Sequence, residues 1–164
     1  PFGMALLSRY PIAGLRVVDA ADGLIHLEAG LDWAGRRIGL TAWHPMPPIS
    51  AEYHRQRDAI LARLARRAVS LDLPALLAGD LNASPWSSAF SGLERIGMRR
   101  ASGLAPTWPA LGLAFPGIPI DQVLASGRVV AADIAELNPA LDRDGLTARV
   151  AARLAARIAR SRGA

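Results

Sequence analysis

Leu76-Leu77-Ala78-Gly79-Asp80-Leu81-Asn82-Ala83-Ser84-Pro85-Trp86 is the stretch on which the reading of this chain turns. The apolar run after Pro74 reads as a short buried strand, and it breaks where Asn-Ala-Ser-Pro gathers turn-forming residues. With the chain extended through Leu81, Asp80 and Asn82 project to one side, because side chains alternate along a strand. A carboxylate and a carboxamide then stand side by side where a strand leaves the core. A hard divalent cation and a phosphate oxygen both suit such a pair. So does a plain turn in which the two residues cap the next helix.

Composition sets the bounds around this stretch. A chain of 164 residues with 51% hydrophobic and 20% charged residues reads as one globular domain and excludes a disordered chain. All 19 basic residues are Arg, and the net charge of +5 mildly favours an anionic partner. The absence of Cys rules out disulfides and thiolate metal sites and leaves the compartment open, cytoplasmic or membrane-associated in a bacterium. No apolar run is long enough to span a bilayer. The chain begins at Pro1 inside an apolar phrase, so it is read as a piece of a longer protein.

Working outward, residues 5–7 read as a short strand ahead of a Ser8–Pro11 turn, and Leu15–Val18 as another. Residues 25–31 alternate, with Ile25, Leu27, Ala29 and Leu31 on one face and His26, Glu28 and Gly30 on the other. Asp32-Trp33-Ala34-Gly35 turns this strand into residues 37–43, giving a hairpin. There Ile38, Leu40 and Ala42 share the apolar face, and His44 falls in line with them at the rim. Ser50 caps a helix whose apolar stripe is Tyr53, Ile60, Leu61, Leu64 and Ala68, with Arg55, Arg63, Arg66 and Arg67 towards solvent. Residues 87–96 predict a short helix ended by Gly97, and residues 98–117 a loop carrying Thr107-Trp108-Pro109. Residues 118–124 and 129–134 predict strands, and 146–160 an amphipathic Ala/Arg helix with a solvated Arg face. His26 and His54 read as surface residues, and Trp108 as a packing residue.

Four signals thus stand in order: His44 before prolines, Asp80 and Asn82, Thr107-Trp108-Pro109, and Asp121 in Ile-Asp-Gln-Val. This order resembles the endonuclease/exonuclease/phosphatase superfamily of deoxyribonuclease-I-like metal-dependent phosphoesterases. Ala5-Leu6-Leu7-Ser8-Arg9-Tyr10-Pro11 resembles the family's strand and turn before its central hairpin, and Trp43-His44-Pro45 its His-Pro strand end. Arg55-Gln56 is similar to the Arg/Gln start of its helix, and Gly79-Asp80-Leu81-Asn82 with Pro85-Trp86 to its Gly-Asp-Phe/Leu-Asn hallmark. Ile120-Asp121 resembles its later Ile-Asp-His strand.

The resemblance implies an α+β fold, part of a four-layer α/β/β/α sandwich with mostly antiparallel and mixed sheets. It implies a Mg²⁺- or Mn²⁺-dependent phosphodiesterase, nuclease-like, in which the metal activates water. By that resemblance Asp80 orients or activates the water, Asn82 binds phosphate or metal, and His44 donates to phosphate oxygens. Asp121 orients a histidine or supports the metal shell, and Asp144 is the metal-site match at the chain's end. The implied partner is a phosphodiester, nucleic acid among the candidates.

Two departures from the pattern stand beside it. The family's Gln-Glu metal motif is absent, so the chain reads as lacking the N-terminal strands of the domain and as weak or inactive alone. The closing Ser-Asp-His reads Arg143-Asp144-Gly145, and Ile-Asp-His reads Ile-Asp-Gln at Gln122. Glycine cannot transfer a proton. A binding module that has lost catalysis therefore stays open as an alternative. So does a lipid or small-molecule phosphoesterase, membrane-associated through upstream segments.

Overall fold

The hairpin is the backbone of the fold in the computed structural model, which describes residues 4–19, 25–108 and 117–127. Strands β2 (Ile25–Trp33) and β3 (Arg36–Trp43) pair antiparallel in unbroken register from His26↔Trp43 to Trp33↔Arg36. Ala34 and Gly35 make the turn with φ of 51° and 77°, the double left-handed conformation that matches strand twist in a two-residue hairpin. Strand β1 (Ile12–Asp19) lies antiparallel along β2 with an irregularity between Ala13 and Arg16, and starts earlier than its β-branched run suggests. Residues 5–7 form no strand, because no described strand offers them a ladder of hydrogen bonds.

The chain crosses from β3 to β4 (Ala75–Asp80) through helix α1 (Ala51–Val69), and the two strands run parallel. Ser50 caps α1, its hydroxyl accepting from the Tyr53 N–H at 3.1 Å. The buried stripe of α1 is Ile60, Leu61, Leu64, Ala65 and Ala68. It packs on Trp43, Ala75, Leu77, Leu124 and Met98 in one hydrophobic cluster. Each large apolar side chain buried there contributes about 1.5–3 kcal/mol. Strand β6 (Asp121–Ser126) runs antiparallel beside β4, and β5 (Met98–Arg100) beside β6. Among the described residues the result is a mixed six-stranded sheet ordered β1-β2-β3-β4-β6-β5 with a helical layer on one face. The α+β class expected from the sequence holds.

Several expectations give way to packing. The helix expected over 87–96 is two short 3₁₀ turns, Ser88–Phe90 and Glu94–Ile96, because Ser91 is extended and Gly92 left-handed between them. Gly97 does end it, at φ 85°. Part of the expected 98–117 loop is strand β5, recruited by the free edge of β6. The strand expected at 118–124 starts only at Asp121, since Pro119 has no N–H to give a ladder. His26 is buried, not on the surface: it is the register partner of Trp43 on the α1 side of the sheet. Trp108 is 56% exposed rather than packed, bridging by backbone to Ile118. The strand expected at 129–134, the helix at 146–160, and Asp144 lie outside the described residues. Among those described, no helix is long and apolar enough to cross a membrane.

Candidate functional site

The site begins with a backbone contact. Gly79 has φ 144°, and a Cβ placed on it would meet the Trp43 carbonyl oxygen at 2.2 Å. No residue with a side chain fits there, so glycine lets the end of β4 press against the end of β3. The next residues of the two strands are Asp80 and His44. They emerge together, with His44 Nε2 3.7 Å from Asp80 Oδ2.

Strand register adds the third member. Leu40 pairs Leu76 and Ala42 pairs Ala78 across β3 and β4, while Asp80 pairs Asp121 across β4 and β6. His44, Asp80 and Asp121 therefore share one end of the sheet, on the face opposite α1. Asp80 is half-buried, and burial is the main force raising its carboxyl above the usual range. The Asn82 N–H pulls the other way, the Asp121 charge adds to the rise, and the His44 side chain offsets part of it. A carboxyl that is sheltered and paired with a second carboxylate favours its protonated form.

Asn82 does not continue the strand. β4 stops at Asp80, and Asn82 turns left-handed at φ 48°, its N–H donating to Asp80 Oδ1 at 2.9 Å. The extended geometry expected through Leu81 is thus replaced by a local turn, for which Asn is suited because its side chain tolerates that region. Leu81, fully buried, anchors the turn. The Asn82 carboxamide nitrogen donates to the Pro45 carbonyl at 3.0 Å, tying the β4 exit to the residue after His44. The acceptor at Pro45 fixes which end of the amide points there, and directs Oδ1 elsewhere.

A residue that the sequence pattern does not single out holds this turn from behind. Arg57, on α1, is 3% exposed and donates to the Asn82 carbonyl at 2.6 Å and to Ser87 Oγ at 3.3 Å. It also donates twice to Asp58 Oδ1, at 2.9 and 2.7 Å. The signal was its phase: position 57 precedes 60, 61 and 64 on the buried stripe at helical spacing. Thr107 stood out for its motif and acts by capping, its hydroxyl accepting from the N–H groups of Ile120 and Asp121 at 3.0 and 3.2 Å.

Gln122 stands where the family pattern has a histidine, and it lies on the other face of the sheet from Asp121. It is wholly buried and bonded at both ends: Oε1 accepts from Ser102 at 2.7 Å, and Nε2 donates to the Pro119 and Ala83 carbonyls. It is a structural residue here, not a missing site group. The donor types at the site, two carboxylates and a carboxamide oxygen, fit a hard cation such as Mg²⁺ or Mn²⁺ as part of its shell. Among the described residues, no three His, Cys, Asp or Glu side chains gather to hold a metal.

A model of the Endonuclease/Exonuclease/phosphatase family matches residues 1–155 of this chain. Among solved structures, an endonuclease/exonuclease/phosphatase from Beutenbergia cavernae superposes with a TM-score of 0.55 at 22% identity, over 73% of this chain and 39% of that one. Humanized D. rerio TDP2 superposes with a TM-score of 0.54 at 13% identity, over 74% of this chain and 55% of that one. A beta toxin mutant from Staphylococcus aureus with bound magnesium ions gives 0.51 at 14% identity, over 73% and 50%. These likenesses are of fold. Formimidoylglutamase from Enterobacter sp. is 40% identical over 103 residues, which is 62% of this chain and 27% of that enzyme. The chain spans about a quarter of that relative, and so short a share carries none of its activity across.

Proposed function

The chain belongs to the Endonuclease/Exonuclease/phosphatase family, and from that membership we propose that it is a divalent-metal-dependent phosphoesterase that hydrolyses phosphodiesters. The observation that carries the reading is the juxtaposition of His44, Asp80 and Asp121 at one sheet end, with Asp80 raised in proton affinity. A general base works best when its pKa lies closer to the working pH than an ordinary carboxyl does. Asp80 takes the proton of the attacking water, its proton affinity kept high by burial and, to a lesser degree, by the Asp121 charge. His44 donates to a non-bridging phosphate oxygen as charge builds there. Asn82 offers its carboxamide oxygen, having committed its nitrogen to Pro45. Asp121 and Asn82 Oδ1 are the groups that would hold Mg²⁺ or Mn²⁺, and Asp144 remains a candidate from sequence. The bound cation supplies charge neutralisation and a more acidic water.

Nucleic acid is the first substrate class proposed, because the net charge of +5 favours a polyanion. The test incubates the full-length protein with bis-p-nitrophenyl phosphate and with single-stranded DNA. Hydrolysis with Mg²⁺ or Mn²⁺, silenced by EDTA and by Asp80→Ala, is expected. Metal-independent turnover, or full activity in Asp80→Ala, overturns the proposal. A second reading, a binding module without catalysis, is favoured by the absence of a third converging ligand among the described residues. Tight DNA binding without cleavage at any metal concentration is its signature. A lipid phosphoesterase at a membrane would instead cleave only vesicle-borne substrate.

A further inference from the structure

We propose that Arg57 is the positioning residue of this site: through the Asn82 carbonyl it holds the left-handed turn that sets Asn82 and Asp80 against the His44 segment. The inference rests on His44, Asp80 and Asn82 being the working groups. Every polar backbone atom of Asn82, and its carboxamide nitrogen, is committed. Its N–H goes to Asp80 Oδ1, its Nδ2 to the Pro45 carbonyl, and its carbonyl accepts from Arg57 Nη1. Asn82 is thereby the knot between three segments: the β3 exit, the β4 exit and α1.

A non-glycine residue in the left-handed region costs free energy and persists only where its surroundings over-determine it. Of its three anchors, two are themselves parts of the site, Asp80 and the residue after His44. Arg57 alone among the three reaches the turn from outside, on a rigid helix whose buried face is packed into the core. Its placement is in turn fixed. Asp58 takes Nε and Nη2 on one oxygen, and the other Asp58 oxygen lies 3.5 Å from Ser88 Oγ and 3.7 Å from His54 Nδ1. Ser87 Oγ, which accepts from Arg57 Nη2, also caps the first 3₁₀ turn by accepting from the Ala89 N–H at 3.2 Å. One guanidinium therefore braces both ends of the 82–87 loop.

A guanidinium is suited to this because its planar fork serves several acceptors at once, which an ammonium on a flexible stem cannot do. Burying this charge is offset only while its partners are in place, and a wrong substituent leaves Asp58 Oδ1 and the Asn82 carbonyl without their donor. Removing the brace should free the turn without melting the helix that carries it.

The test is amide hydrogen exchange on the full chain, with Arg57→Lys and Arg57→Met. Exchange at Leu81–Ala83 should accelerate at least about tenfold in Arg57→Met and less in Arg57→Lys, while protection inside α1 and β4 is kept. Unchanged exchange at 81–83 overturns the proposal. So does loss of protection throughout α1, which would make Arg57 a packing residue of the helix. Should Arg57→Met fail to fold, Arg57→Lys, which keeps the buried charge, decides between the same two outcomes alone. In a protein that turns over phosphodiester, kcat should fall about 10- to 100-fold with KM little changed, as misplacement of catalytic groups does. An inactive full-length wild type with the local exchange effect intact removes the phosphoesterase reading and leaves the positioning role standing.

Discussion

Two sheltered carboxylates on opposite faces of the same sheet have contrary surroundings. Glu28, on β2, receives Arg67 at 2.7 and 3.1 Å and Arg16 at 2.6 Å, with His26 Nε2 at 3.5 Å. Burial pushes its carboxyl up, but the Arg67 hydrogen bonds and charge, with His26 and Arg16, outweigh that and hold it below the usual range. Asp80 is exposed to a similar small degree, yet its company is one N–H, an imidazole at 3.7 Å and a second carboxylate. Its carboxyl moves the other way. Shelter alone, then, does not mark a site. Glu28 is completed by its own chain, while Asp80 is left with an imbalance that favours its protonated form, the kind of perturbed group that marks a candidate site.

The sharpest way to break the contrast is Asp80→Ala. It should lower metal-dependent phosphodiester hydrolysis by at least about 10³-fold, the scale of a lost general base and its electrostatic partners, measured as kcat/KM. Glu28→Gln should leave that rate within about twofold. Equal losses in the two variants would erase the distinction. Next in size is Gly79→Ala, which acts on the Asp80 side alone. The added Cβ collides with the Trp43 carbonyl, so stability should fall by roughly 2–4 kcal/mol in denaturant titration, with the site's activity lost as well.

The pH dependence of stability should have opposite signs at the two places. A lowered Glu28 means that the unfolded chain binds more protons as pH falls through the ordinary carboxylate range, so its contribution is present above that range and lost on acidification. A raised Asp80 means that the folded chain keeps its proton longer, so stability falls as pH rises from the ordinary value through the raised one. Urea midpoints across acid to neutral pH should show Asp80→Asn removing the second slope and Glu28→Gln the first. The smallest effect is Glu28→Gln at neutral pH. Its arginines are more than half exposed, so the loss should be at most about 1 kcal/mol by thermal unfolding.

What the sequence made legible was whatever local chemistry decides. The Ala34-Gly35 turn, the Ser50 cap, the period of α1 and the Gly79-Asp80 strand end each depend on a few adjacent residues. What it hid depends on contacts between distant ones. His26 looked solvent-facing because it alternates with Leu27, but β2 is covered on both faces, so alternation there does not separate inside from outside. Asn82 was expected beside Asp80 along an extended strand; the hydrogen bonds that bend it come from Asp80, Pro45 and Arg57. Arg57 was invisible because arginine reads as surface, although its helical phase already placed it on the apolar stripe. For the candidate site, motif order and the family resemblance put forward His44, Asp80, Asn82 and Asp121. Only register and the Gly79 contact explain why the two carboxylates and the imidazole meet.

That contact has a consequence for how the molecule tolerates change. The spacing between the β3 and β4 ends is set by main chain against main chain, Trp43 carbonyl against a bare α-carbon at 79. Cluster residues on other elements, such as Leu64 on α1 and Met98 on β5, should then tolerate exchange with a change in melting temperature and little change at the strand ends, whereas Trp43 and Leu81 belong to both the cluster and the junction. Durability and strand-end geometry meet at Gly79, Trp43 and Leu81, and away from that junction the core can be tuned by itself.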